Sequence, residues 1–77
     1  MEDATAAVRE VVATIAKRGT DTVSVDTRLA EDLGMKSVSR IELAALLEDR
    51  FGITISNFDV RRPQTVQEVV DLVASRL

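Results

Sequence analysis

Three runs of aliphatic residues recur at the spacing of an α-helix, and this period constrains the chain more than any other feature. Ala4, Ala7, Val8, Val11, Val12 and Ile15 form the first stripe, Leu43, Ala44, Leu47 and Phe51 the second, and Val66, Val69, Val70 and Val73 the third. At about 100° of turn per residue each set falls on one helix face, and three such faces need one another to escape water. The first run predicts a helix from Ala4 to Lys17, with Asp3 placed to cap it and Gly19 to end it. The second predicts a helix from about Ser37 to Arg50 that stops at Gly52, and the third follows a Thr65-Val66-Gln67-Glu68 capping box.

Between these runs, Gly52-Ile53-Thr54-Ile55 reads as a short extended link. Ser56 to Arg62 reads as a single helical turn cut off by Pro63, which disfavours helical geometry at Arg62. The connection between the first two helices is long for so small a chain, and such a loop needs pinning. Val23, Val25, Leu29 and Leu33 are the residues available to pin it, and Asp26 or Thr27 is placed to cap a short turn there. The expected fold is all-α: a small four-helix bundle with a short third helix and a long first loop, residues 1–77 forming one domain.

Composition narrows the chemistry. The chain has 77 residues, and at that size only about 60% of the unfolded surface is buried on folding. It contains no cysteine and no histidine, which removes disulfides, thiolate nucleophiles, the usual general base and most zinc sites. Thirteen acidic against ten basic residues leave a net charge of −3, and only two Phe stand among the aromatics. Neither a basic field nor a base-stacking surface is therefore present for nucleic acid. No apolar segment approaches the ~20 residues of a membrane span, and Met1-Glu2-Asp3-Ala4 lacks the basic start of a signal peptide. The expectation is a soluble cytoplasmic protein that is a monomer and not an enzyme. Asp26, Glu31 and Asp32 are the only loop carboxylates near the segment considered next.

That segment is Gly34-Met35-Lys36-Ser37-Val38-Ser39-Arg40-Ile41-Glu42-Leu43, two serines between basic residues at a helix start. Ser39-Arg40-Ile41-Glu42 has the spacing of a capping box, which would make Ser39 a structural residue. Ser37 has Arg40 three residues on and so lacks that partner. At a helix N-terminus an anion on Ser37 gains about 0.3–1 kcal/mol. Spacing alone leaves capping and modification both open for Ser37.

The stretch Asp32-Leu33-Gly34-Met35-Lys36-Ser37-Val38 leading into Ile41-Glu42-Leu43, then Leu47-Glu48-Asp49-Arg50-Phe51-Gly52-Ile53, resembles the acyl carrier protein family. That family's signature is D-L-G-x-D-S-L, then V-E-L and L-E-x-x-F-x-I, and the order of elements agrees along nearly the whole chain. The resemblance implies that a phosphopantetheinyl transferase attaches 4′-phosphopantetheine from coenzyme A to Ser37. Acyl intermediates would then ride on the arm as thioesters, presented to acyl-loading enzymes, ketosynthases and other acyl-processing partners. It also implies docking through the second helix, where Val38, Glu42, Ala45 and Asp49 recur on one face and Glu48 adds an acid. Two positions depart from the pattern: Lys36 replaces the usual Asp, reversing the charge beside the serine, and Val38 replaces Leu. For Lys36, phosphate contact, partner selection and plain solvation remain open, and so does recognition by a general-purpose transferase.

Lys36, Arg40, Arg61 and Arg62 bring positive charge to the region, which suits partners with acidic faces and poor exchange with fatty-acid machinery. Arg61-Arg62-Pro63-Gln64-Thr65 resembles the Pro-x-Thr approach to the last helix in polyketide and nonribosomal peptide carriers. The leading reading is thus a discrete acyl carrier of polyketide or related secondary metabolism. An aminoacyl or peptidyl carrier, and an unmodified carrier-like interaction module, are the alternatives.

Overall fold

The computed structural model describes residues 4–77, so the expected cap at Asp3 lies outside the described residues. Helix α1 spans Ala4–Ala16, α2 spans Ser37–Phe51 and α3 spans Val66–Arg76, with 3-10 turns at Thr20–Thr22 and Asp59–Arg61. The aliphatic stripes become the core: Val8, Val12, Leu43, Leu47, Val66, Val69 and Val73 are all fully buried. Helix α1 packs on both α2 and α3, so its stripe is shared between two neighbours. No polar or charged side chain among the described residues is buried, so the core itself is specified by aliphatic shape.

Three of the four expected helices are α-helical, and the remaining one is reduced to the 3-10 turn Asp59–Arg61. Its start is a reciprocal pair, in which the Asp59 N–H donates to Ser56 Oγ at 3.0 Å and the Ser56 N–H to Asp59 Oδ2 at 3.2 Å. Arg62 keeps helical dihedrals (φ −78°, ψ −41°), contrary to the expected effect of a following proline. The turn ends because Pro63 has no N–H with which to continue it.

The end of α1 also differs from expectation. Gly19 is not the terminating residue; Lys17 takes the left-handed conformation at φ 58°, and the Arg18 N–H closes the helix on the Ala13 carbonyl at 3.0 Å. This is a Schellman-type stop built on a residue with a Cβ, at a cost of about 1–2 kcal/mol relative to an unstrained backbone. Gly34 and Gly52, by contrast, adopt positive φ (67° and 65°) at the ends of their own helical turns, where glycine is free to do so.

The connection from α1 to α2 is held at several points. Val23 and Leu29 are fully buried, Val25 and Leu33 are half-buried, and Met35, which the spacing did not single out, is buried as well. Arg9 straps the near end, donating from Nε to the Val23 carbonyl at 2.6 Å and from Nη2 to the Thr20 carbonyl at 3.0 Å. The far end pairs with the start of α3: the Val66 N–H donates to the Thr27 carbonyl at 3.0 Å, Gln67 N–H to Val25 at 2.9 Å, and Leu29 N–H to Gln64 at 2.9 Å. Thr65 caps α3 as expected, its Oγ1 accepting from the Glu68 N–H at 3.2 Å. The return arm of the box is shifted by one residue, since Glu68 Oε1 accepts from the Gln64 N–H rather than from Thr65.

Asp32 and Asp59 are held below the usual carboxylate range. For Asp32 the first cause is the backbone N–H of Arg28, then the Arg28 guanidinium; for Asp59 it is the backbone of Ser56, then its hydroxyl, with Arg76 adding its charge.

Three outcomes follow from this packing. Leu29→Ala lowers the unfolding free energy by about 2–5 kcal/mol, as for a helix-core leucine and unlike a loop residue, in a urea titration followed by circular dichroism. Lys17→Gly raises it by up to about 1 kcal/mol, since relief of the left-handed strain outweighs the added freedom of the unfolded chain. For Asp59 the folded pKa is depressed, so its contribution is present above the unfolded value near ~3.9 and is lost as pH falls through the folded value. The stability gap between the wild type and Asp59→Asn should accordingly be constant above pH ~5 and narrow as the pH falls below ~4.

Candidate functional site

Ser37 owes its position to three residues before it. Gly34, in the left-handed conformation, ends a helical turn, and the Met35 N–H returns to the Leu29 carbonyl at 3.0 Å while its side chain enters the core. Lys36 is then extended (φ −110°, ψ −179°), and its carbonyl accepts the Arg40 N–H at 3.0 Å. That geometry makes Lys36 the cap position and Ser37 the first residue of α2.

The serine question is answered by this start. Ser39 lies inside the first turn, and no Ser39-to-Glu42 capping box forms, because the box needs its serine in extended backbone ahead of the helix. Met35 and Lys36 set the helix start a turn too early for it. Ser37 does not cap either: its side chain is exposed and its hydroxyl makes no hydrogen bond to any described residue. The N–H groups of Ser37, Val38 and Ser39 likewise have no partner among the described residues. An uncommitted hydroxyl therefore stands beside free amide donors and the exposed Lys36, an arrangement that suits an attached anion and contains no base to activate the oxygen.

The surface along α2 matches the expected stripe in exposure. Val38, Glu42, Ala45 and Asp49 all face solvent, Val38 with 72% of its surface exposed. Sequence reasoning passed over Ile41, which is half exposed and lies three residues beyond Val38, a spacing that would have revealed it. It also passed over Phe58, which is 69% exposed just ahead of the second 3-10 turn and carries no periodic signal.

Two residues assigned to partner contact have intramolecular work. Glu48 is half-buried, and its Oε2 accepts the Ile55 N–H at 2.9 Å, tying the end of α2 to the following link. Arg40 reaches back to the 3-10 turn, where Nη1 donates to the carbonyls of Pro63 (2.6 Å), Val60 (3.1 Å) and Arg61 (3.4 Å). Arg61 and Arg62 extend into solvent on the same turn. Of the loop carboxylates, Asp26 and Glu31 are exposed, while Asp32 is engaged by the Arg28 N–H (2.8 Å) and its guanidinium (3.1 Å). Among the described residues no group of side chains is arranged to hold a metal ion, and among them no helix is long and apolar enough to cross a membrane.

Residues 6–73 match the family described as the phosphopantetheine attachment site. The chain is 36% identical over 63 residues to the acyl carrier protein of Aster yellows witches'-broom phytoplasma, covering 82% of this chain and 83% of that one. It is 35% identical over 63 residues to the acyl carrier protein of Onion yellows phytoplasma, with the same 82% and 83% coverage. The acyl carrier protein of Campylobacter hominis is 33% identical over 66 residues, covering 86% of this chain and 84% of its own length. The chain belongs to the phosphopantetheine-attachment family of acyl carrier proteins, and its cofactor is a covalently attached 4′-phosphopantetheine.

Proposed function

We propose that Ser37 is the attachment residue and that the whole chain, 1–77, works as one carrier domain of polyketide or related secondary metabolism. The observation that carries the assignment is the exposed, unbonded Ser37 hydroxyl at the first position of α2, inside the matched region. The residues around it fit the group. A phosphodiester at Ser37 Oγ meets the unpartnered amides of the first turn and the positive end of the helix, worth about 0.3–1 kcal/mol, with Lys36 as a nearby cation. The arm supplies the terminal thiol that this cysteine-free chain lacks, on which an acyl group is carried as a thioester.

In the attachment step the Ser37 oxygen forms the new P–O bond as the pyrophosphate of coenzyme A breaks, and adenosine 3′,5′-bisphosphate leaves. The hydroxyl proton passes to the transferase, because no side chain among the described residues is hydrogen-bonded to Ser37 to accept it. Ser37 thereafter fixes where the arm leaves the surface, and Val38 and Ile41 provide apolar contact next to that point. Glu42, Ala45 and Asp49 extend the contact surface along α2. The specialised-metabolism context is supported by Lys36 and by the Arg61-Arg62-Pro63-Gln64-Thr65 segment. Its partners are a phosphopantetheinyl transferase, an acyl-loading enzyme and a ketosynthase or comparable acyl-processing enzyme, in the cytoplasm.

Intact-mass measurement after incubation with coenzyme A and a broad-specificity phosphopantetheinyl transferase tests the assignment. Wild type and Ser39→Ala should each gain one phosphopantetheine increment and Ser37→Ala none. An increment on Ser37→Ala, or its loss in Ser39→Ala alone, would move the site elsewhere.

A further inference from the structure

Lys36 places a primary amine one residue from Ser37, and its backbone is fixed on both sides. Met35 is buried with its N–H on the Leu29 carbonyl, and the Lys36 carbonyl accepts the Arg40 N–H at 3.0 Å. The Lys36 side chain is exposed and, among the described residues, makes no ion pair or hydrogen bond. Asp32, the acid four residues upstream, is taken up by Arg28 at 3.1 Å. Arg40, three residues past Ser37, offers a guanidinium already committed to carbonyls. The chain has two lysines, Lys17 and Lys36, and neither cysteine nor histidine, so few of its side chains can attack an acyl group at all.

Resting on the attachment reading, we propose that Lys36 is a self-acylation site, whose amine takes a short acyl group from the thioester carried on the arm at Ser37. Consecutive Cα atoms are about 3.8 Å apart, so Lys36 stays beside the root of the arm in every conformation. The arm spans about 17 Å when extended and has enough single bonds to fold back on that root. Tethering of this kind gives one group an effective concentration on the order of millimolar at the other. The Lys36 Nζ lone pair forms a C–N bond to the acyl carbon, the C–S bond breaks, and the sulfur takes the proton that the nitrogen gives up. An amide on Lys36 and a free thiol result. Most lysine amines are protonated near neutral pH, which makes the step slow. It therefore competes with an idle thioester and not with a partner enzyme already engaged. Stalled cargo passes irreversibly to Lys36, and the cation beside Ser37 is lost with it.

The test loads the full-length chain from acetyl coenzyme A with a broad-specificity phosphopantetheinyl transferase, removes donor and enzyme, and holds the product at pH ~8.5, where more amine is neutral. Hydroxylamine strips thioesters and leaves amides. Intact mass before and after its addition therefore separates the two, and peptide mapping places the amide. The wild type should accumulate one hydroxylamine-resistant acetyl group on Lys36, at a rate independent of protein concentration because the reaction stays within one molecule. Lys36→Arg, which keeps the charge without the nucleophile, should lower the resistant fraction at least about tenfold and lengthen the life of the thioester. Lys17→Arg should match the wild type.

Loss of the acetyl group as acetate with no resistant fraction overturns the proposal. So does an amide at Lys17 or at the amino terminus in place of Lys36, an equal resistant fraction in Lys36→Arg, or a rate that climbs with protein concentration. In each of these cases a phosphopantetheine increment that maps to Ser37 leaves the attachment reading intact. An increment that maps elsewhere, or none, sinks that reading and with it the premise that Lys36 neighbours the thioester.

Discussion

The junction between the α1–α2 connection and the first turn of α3 is the constraint on which the rest of the structure depends. Every helix start leaves amides that need acceptors, and here the carbonyls of Thr27 and Val25 take the first two while Thr65 takes the next two through its hydroxyl and its carbonyl. A segment without regular structure thereby becomes a fixed wall of the core, and it carries Leu29 fully out of water. In a chain this small, with no disulfide to limit the unfolded ensemble, the aliphatic core and such junctions carry the stability.

From that junction the position of Ser37 follows by short steps. Leu29 is buried, its carbonyl receives the Met35 N–H, and Met35 is buried in turn. Lys36 then runs extended at the surface, and α2 begins at the next residue. The side chain at that first position points to solvent with neither a cap to make nor a neighbour to bind. Arg40, one turn further on, spends its guanidinium on two carbonyls of the second 3-10 turn and on that of Pro63 just beyond it, instead of on solvent or an acid. The first turn of α2 is thus tied through Arg40 to the second 3-10 turn, which also packs on α2 directly.

Much of the scaffold was legible because period and burial are tied by simple geometry. Valines and leucines at i, i+3, i+4 and i+7 fall on one side of a helix whatever surrounds it, and the Thr65–Glu68 cap depends on residues within one turn. The errors were of a different kind. Ser39 has the spacing of a capping box, but the helix starts at Ser37, so Ser39 lies inside the first turn and cannot cap it. Gly19 looked like the terminator of α1, yet the core contacts of Ala13 and Val12 set the last turn and left Lys17 in the strained position. The second 3-10 turn is the single helical turn expected ahead of Pro63, held at its start by Ser56.

By itself, then, the sequence determined the three helical faces, the capped start of α3, the absence of thiol and imidazole chemistry, and the motif around Ser37. Those properties are local or compositional, and no distant contact alters them. Only the tertiary structure decided which serine is free, which charges are spent internally and which remain available. Arg40 and Arg61 are indistinguishable as letters, and the difference between a strut and a solvent-facing cation is made by carbonyls some twenty residues away in the chain. Glu48 and Asp49 are adjacent acids, and the Ile55 amide claims one while the other stays in water. Helical period places a side chain on a face; which backbone groups lie within its reach is settled only when the other elements have packed.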